Sequence, residues 1–170
     1  VYYNLTGYEP GLELAGKLIR GALKRWKGFE DDGRWLIYHF HTASASLLAM
    51  LEYAMIMKDR ELLEFVERCY EYGKAVSDTT VGFFPEIVPG FDIRKIHAPE
   101  KIYSDCETCE VVDMIGLALK LTQAGAGDYW EDVDRWTRNQ FVPISINLPT
   151  YSRAESSMWV LCQHSHRFFK

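Results

Sequence analysis

The chain has 170 residues, of which 48% are hydrophobic and 14% aromatic, and it carries a formal net charge of -5 at pH 7. This length and apolar content suffice for one sizeable core and exclude a disordered chain. The acidic balance, without a basic cluster, argues against nucleic acid and against an anionic membrane as partner. No apolar run reaches the length of a bilayer span, so we expect a soluble protein, cytoplasmic or extracytoplasmic, with a neutral or weakly charged small molecule open as ligand.

The first half of the chain alternates between two kinds of helical pattern. Residues 12–26 and residues 61–77 each predict an amphipathic helix with one apolar stripe. Between them, residues 43–57 are apolar on nearly every face, which predicts a helix that is buried all round. The positions expected to face inward in the first helix are Leu12, Ala15, Leu18, Ile19, Ala22, Leu23 and Trp26.

The second half repeats this alternation after a long connection that contains several prolines and glycines, residues 78–104. Residues 111–124 are again apolar almost all round, which predicts a second buried helix. Residues 128–141 predict another amphipathic helix, in which Trp130 and Trp136 are packing residues.

The order of these helices predicts the architecture. An α/α toroid has an inner ring of helices covered on both sides and an outer ring that is half exposed, so buried and amphipathic helices must alternate. The sequence therefore predicts an all-α fold, part of an α/α toroid, over residues 1–141. Residues 142–170 lose the helical pattern and are expected to form a divergent tail.

Residues 104–110, the acid–thiol cluster, hold three carboxylates and two of the four cysteines directly before the second buried helix. The spacing of Cys106 and Cys109 places both sulfurs on one side of a helical turn, where they can share a metal, form a redox pair or simply pack. Glu107 and Cys109 can reach one metal only if the residues before Cys109 are not yet helical. The helix N-terminus is expected to lower the thiol pKa.

His39 and His41 precede the first buried helix. An extended backbone would place both imidazoles on one side, where they suit a sugar or a metal, and the alternative is a helix cap or a satisfied core polar group. In a toroid the heads of the inner helices converge on a common cavity, so we expect this pair to face the acid–thiol cluster.

The long connection holds a candidate general acid. Phe83 and Phe84 are the aromatic residues best placed to face a sugar ring, although aromatic side chains are more often core. Glu86 follows them, and desolvation beside apolar neighbours would raise its pKa toward a general acid's range. A solvated loop glutamate is the alternative.

Several motifs together resemble glycoside hydrolase family 127, the β-L-arabinofuranosidase-like proteins. The triplet Glu107-Thr108-Cys109 at the head of a buried helix is the most specific of them, and Asp128-Tyr129-Trp130 and Arg138-Asn139-Gln140 follow it. Residues 39–72 resemble the family's His-x-His helix and the amphipathic helix after it. The resemblance covers roughly residues 5–141.

The resemblance implies an (α/α)6 catalytic domain with a zinc ion held by one Glu and three Cys, one of those cysteines being the nucleophile of a retaining mechanism. Glu107 and Cys109 match the first two zinc ligands, and His39 and His41 are expected to bind the carbohydrate substrate. A separate upstream Glu serves as acid/base in the family, for which Glu86 is the candidate here and Glu100 the next.

This sequence also departs from the family pattern. The nucleophile and the last ligand belong to a Cys-Cys pair downstream of the triplet, and no two cysteines are adjacent in this chain. A six-hairpin toroid also needs about twice as many helices as the sequence predicts. We therefore expect a piece of a longer gene that is inactive by itself, or alternatively a non-catalytic helical relative that binds carbohydrate or serves as a scaffold.

Overall fold

The computed structural model describes residues 2–90 and 106–146. These residues are helical, with only isolated bridges among them as strand-like pairing, which confirms the all-α class. The α-helices are α1 (Tyr2–Thr6), α2 (Glu9–Gly21), α3 (Phe40–Met57), α4 (Arg60–Ala75), α5 (Thr108–Gln123), α6 (Trp130–Trp136) and α7 (Val142–Ile146), and π-helical turns follow α2 (Ala22–Trp26) and α6 (Thr137–Phe141). None of the helices in this part of the chain is long and apolar enough to cross a membrane.

The core is built around α3 and α5, which lie side by side, with α4 packed on α3 and α6 packed on α5. The apolar residues of the two central helices supply most of its aliphatic side chains, and Leu47, Leu51, Leu117 and Leu121 are fully buried. Burying a side chain of this size contributes about 1.5–3 kcal/mol. Both helices are less completely covered than predicted, because Met57 and Val112 are exposed in the described part of the chain.

Trp35 anchors α4 to the start of α3. Its indole Nε1 donates a 2.9 Å hydrogen bond to the backbone oxygen of Cys69, and its ring centroid lies 4.7 Å from that of Phe40. The ring passes over Gly73, where an added Cβ would lie 2.8 Å from Cζ2 of the indole. Close contact between this ring and α4 therefore depends on the missing side chain at that glycine.

The helix α4 is amphipathic, as its sequence predicts. Asp59 caps it, because its side chain accepts a 3.0 Å hydrogen bond from the backbone N–H of Leu62. The buried residues recur at helical spacing along one face, and they are Leu62, Val66, Cys69, Tyr70 and Gly73. The opposite face carries the charged side chains.

The predicted stripe of the first helix is wrong at two positions. Leu18 is exposed, and Trp26 is 83% exposed. The helix approaches α3 through a narrow strip, with Gly16 under the hydroxyl of Tyr53, so only Gly16 and Ile19 are buried. The change to a π-helical turn at Ala22–Trp26 then shifts the apolar spacing away from that strip.

The last described helices also differ from the sequence pattern. Trp136 is fully buried, as predicted, whereas Trp130, the first residue of α6, is 55% exposed. Helical structure continues past residue 141 into α7, where the sequence predicted that it stops. Residues 147–170 of the expected tail lie outside the described residues.

Candidate functional site

The N-terminal ends of α3 and α5 meet, as expected from the sequence. His39 is the N-cap of α3, and its Nδ1 accepts a 3.3 Å hydrogen bond from the backbone N–H of Thr42. Its other ring nitrogen, Nε2, lies 3.8 Å from Oε2 of Glu107, which is the N-cap of α5. His39 is thus a helix cap, as one of its two interpretations states, and its ring also faces the acid–thiol cluster.

Glu107 and Cys109 are brought into contact by the way α5 begins. Glu107 has an extended backbone, with φ -88° and ψ 147°, and the first helical residue is Thr108. A capping box stabilises this start, because the backbone N–H of Glu107 donates to Oε2 of Glu110 at 2.9 Å. The Cys109 thiol donates to Oε2 of Glu107 at 3.4 Å. The condition that the residues before Cys109 be non-helical is therefore met at Glu107, although Thr108 is already helical.

The acidity of Cys109 is the reverse of what the sequence predicts. Desolvation by burial, followed by the adjacent carboxylate of Glu107, raises the pKa of its thiol to about 12. These effects outweigh the helix N-terminus, which favours the thiolate. Cys109 is consequently a protonated thiol at neutral pH unless a cation displaces its proton.

The pair Glu107 and Cys109 fits part of a zinc site. With bonds of about 2.1 Å to oxygen and 2.3 Å to sulfur, two ligands of a tetrahedral zinc ion lie roughly 3.6 Å apart. The observed separation between Oε2 and Sγ is 3.4 Å. Within residues 2–90 and 106–146, no group of three or more His, Cys, Asp or Glu side chains has the arrangement of a metal site.

His41, two residues after His39, pairs with a carboxylate on α5. Its Nδ1 is 2.8 Å from Oδ2 of Asp113, and Oγ of Ser44 is 2.7 Å from the same oxygen. Asp113 is buried, whereas the His41 side chain is 40% exposed. The ring centroids of His39 and His41 are 6.2 Å apart, so both imidazoles stand near the head of α5.

Glu86 is held against the start of α3 by its backbone. Its carbonyl accepts a 2.8 Å hydrogen bond from the N–H of Phe40, and the residue is buried. Phe84 is fully buried, with its ring centroid 5.5 Å from that of Phe40 and 4.9 Å from that of Trp136. Phe84 is therefore a core residue and not the ligand-facing aromatic that the sequence suggested, and Glu86 is not a solvated loop glutamate.

The thiols of Cys106 and Cys109 contact different groups despite their spacing. The sulfur of Cys106 is buried, donates to the backbone oxygen of Glu107 at 3.7 Å and accepts from the side-chain amide of Gln140 at 3.9 Å. No disulfide joins these two described thiols. These contacts favour the packing interpretation of Cys106. Glu100, the second acid/base candidate, and Asp105, the first carboxylate of the acid–thiol cluster, lie outside the described residues.

Sequence reasoning missed the carboxylate of Asp113 and the hydroxyl of Ser44. Asp113 follows Cys109 by four residues, and Ser44 follows His41 by three, so each lies on the same helix face as a candidate site residue. A polar residue inside an otherwise apolar helix is the signal that could have found them.

Comparison of the chain with protein-family models, with curated proteins and with solved structures gives no match. The site is therefore interpreted from its own geometry and from the motifs quoted above.

Proposed function

We propose that this chain carries part of the active site of a zinc-dependent, retaining glycoside hydrolase that acts on furanose-type sugars such as β-L-arabinofuranosides. The observation that carries the proposal is the 3.4 Å contact between Glu107 and Cys109 at the head of α5. A carboxylate and a thiol at the separation of two zinc ligands, beside two histidines, combine a metal site with groups that bind hydroxyls.

The proposed fold is part of an (α/α)6 toroid. The heads of α3 and α5 meet at His39 and Glu107, so these two central helices run in the same direction. The intervening helix α4 returns along the outside of α3 with one buried face. A buried helix, an outer returning helix and a second parallel buried helix form the repeating unit that such a toroid requires.

The residues of this chain would bind the zinc ion and orient the sugar. Glu107 and Cys109 would hold zinc, which when bound would stabilise the thiolate form of Cys109. His39 and His41 would contact sugar hydroxyls, and the buried carboxyl of Glu86 would act as acid/base. The family's nucleophile belongs to a Cys-Cys pair, which this sequence does not contain, so bond cleavage would need a thiolate from outside these 170 residues.

A non-catalytic carbohydrate-binding relative is the second candidate. The lack of adjacent cysteines in the sequence favours it, because binding needs no nucleophile. Such a protein would keep the histidines and carboxylates that recognise hydroxyls.

Zinc analysis of the purified chain tests the metal site of the first proposal. We expect zinc in the wild type and a large loss in Cys109→Ser and Glu107→Gln, because each removes one of two adjacent ligands. The control is Cys69→Ser, since Cys69 is buried in the core near Trp35. Equal zinc in all four proteins, or none in the wild type, would contradict the metal site.

Activity separates the two candidates. The complete reading frame that encodes these residues is assayed on an aryl β-L-arabinofuranoside, with glycan binding measured in parallel. Turnover that is lost in Cys109→Ser supports the hydrolase, and binding without turnover supports the non-catalytic relative. A protein that neither binds the glycan nor turns over the substrate would refute both candidates.

A further inference from the structure

The contact between His41 and Asp113 is the feature that the proposed function leaves unexplained. It joins α3 to α5 through two charged or polar side chains, with Nδ1 of the ring 2.8 Å from Oδ2 of the carboxylate. The hydroxyl of Ser44 reaches the same oxygen at 2.7 Å, so this oxygen receives two short contacts inside the core.

These distances determine where the proton of the imidazole lies. A carboxylate accepts hydrogen bonds, so Nδ1 of His41 donates to Asp113. The hydroxyl of Ser44 also donates there at 2.7 Å, since its alternative acceptor, the backbone oxygen of His41, is farther away at 3.1 Å. The hydrogen bond made by one ring nitrogen sets the tautomer, and in the neutral ring the other nitrogen is then an acceptor. Nε2, at the opposite edge of a partly exposed ring, therefore presents a lone pair.

The His41 ring that carries this lone pair lies near the acid–thiol cluster. Asp113 is one helical turn beyond Cys109 on the same face of α5. The His41 ring also lies 6.2 Å from the ring of His39, whose Nε2 is 3.8 Å from Glu107. The side chains of Glu107 and His41 thus offer acceptors to a common neighbourhood, which suits a ligand rich in hydroxyl donors and disfavours an anionic one.

We propose that Asp113, assisted by Ser44, is a positioning residue that holds His41 in the Nδ1–H tautomer, so that Nε2 accepts a hydrogen bond from a hydroxyl of a neutral sugar. This inference rests on the proposed carbohydrate function, which already concerns an uncharged sugar, and adds to it the residues that set the hydrogen-bonding role of His41. A clamp that only stabilises the packing of α3 on α5 would fix the same tautomer but would leave the affinity for a sugar unchanged in Asp113→Ala.

The tautomer is measured directly on the 170-residue chain by ¹⁵N NMR of labelled histidine side chains at about pH 8.5, where histidines are ordinarily neutral. The His41 signals are assigned by their loss in His41→Gln. We expect the proton on Nδ1 in the wild type and its transfer to Nε2 in Asp113→Ala. The matched control is Ser44→Ala, which keeps the carboxylate and should keep the proton on Nδ1.

Ligand binding is measured on the same variants, carried in the complete reading frame, by titration with methyl β-L-arabinofuranoside and with D-galacturonate. We expect the uncharged sugar to bind more tightly than the uronate. Its dissociation constant should rise about tenfold in Asp113→Ala and in His41→Gln, the effect of losing roughly one directed hydrogen bond. Asp134→Ala removes an exposed carboxylate that pairs with Arg138 on the outer surface, and it should bind as the wild type does.

The outcomes distinguish this inference from the proposed function. A wild-type proton on Nε2 overturns the inference, as does a wild-type sugar affinity that both variants retain, and in the latter case the proposed function stands. A zinc-induced shift of the Nε2 signal assigns the ring to the metal and overturns the inference too. The Nδ1–H tautomer without binding of either sugar contradicts the proposed function, and hydroxyl recognition is refuted with it.

Discussion

Replacing Gly73 by alanine tests whether Trp35 is held as tightly as its contacts indicate. Glycine within a helix is destabilising by about 0.5–1 kcal/mol relative to alanine, so propensity alone predicts that the change stabilises α4. The packing predicts the opposite. The new Cβ would lie 2.8 Å from Cζ2 and 2.9 Å from Cη2 of the indole, whereas carbon atoms in contact are normally about 3.5–4.0 Å apart.

The indole has little freedom to move away. It is 1% exposed, its Nε1 is bonded to the Cys69 carbonyl at 2.9 Å, and Phe40 packs against its face. Overpacking of a core typically costs about 1–3 kcal/mol, which exceeds the gain in helix propensity. We therefore expect Gly73→Ala to lower the free energy of unfolding by about 1–2 kcal/mol, measured by urea denaturation followed through helical circular dichroism.

A second helical glycine provides the control. An added Cβ at Gly116 in α5 would lie 3.5 Å from Cδ2 of Leu48, an ordinary contact, so Gly116→Ala should stabilise the protein by about 0.5–1 kcal/mol. In a Trp35→Phe background, which removes Cζ2 and Cη2, Gly73→Ala should lose its penalty. If Gly73→Ala stabilises the wild type as much as Gly116→Ala does, the reasoning about Trp35 is wrong.

Two further predictions concern α4. Asp59→Ala should lower the free energy of unfolding by about 1 kcal/mol in the same denaturation assay, because the N-cap hydrogen bond from Leu62 is lost. Asp59→Ser should keep most of that stability, since serine also caps helices. Equal losses in the two variants would count against the capping role. Burial raises the pKa of the Cys69 thiol from 9.0 to about 12, so the folded state keeps a proton that the unfolded state releases. Its contribution is fully present below pH 9 and falls by up to about 1.4 kcal/mol per pH unit between pH 9 and 12. Cys69→Ala should show a shallower loss of stability between pH 9 and 10, and identical slopes would refute this assignment.

The helical class was predictable because it follows from local patterns, and the meeting of two helix heads was predictable from the alternation of buried and amphipathic helices along the chain. Apolar residues at nearly every position of residues 43–57 and 111–124 predict helices that contact other elements on several sides. The sequence also predicted that Glu107 can lie beside Cys109 if the residues before Cys109 are not yet helical, and the extended backbone of Glu107 brings the two side chains together. Periodicity and capping depend on neighbours within about four residues of the chain, which the sequence contains in full.

The tertiary structure decided the properties that depend on distant neighbours. The pKa of Cys109 is raised because burial and the Glu107 carboxylate outweigh the helix terminus. Phe84 belongs to the core because Phe40 and Trp136 surround it. The link between His41 and Asp113 joins residues 72 positions apart, and no spacing rule connects them. Local sequence patterns determine which helices form and what begins them, whereas desolvation and long-range contacts arise only when those helices pack.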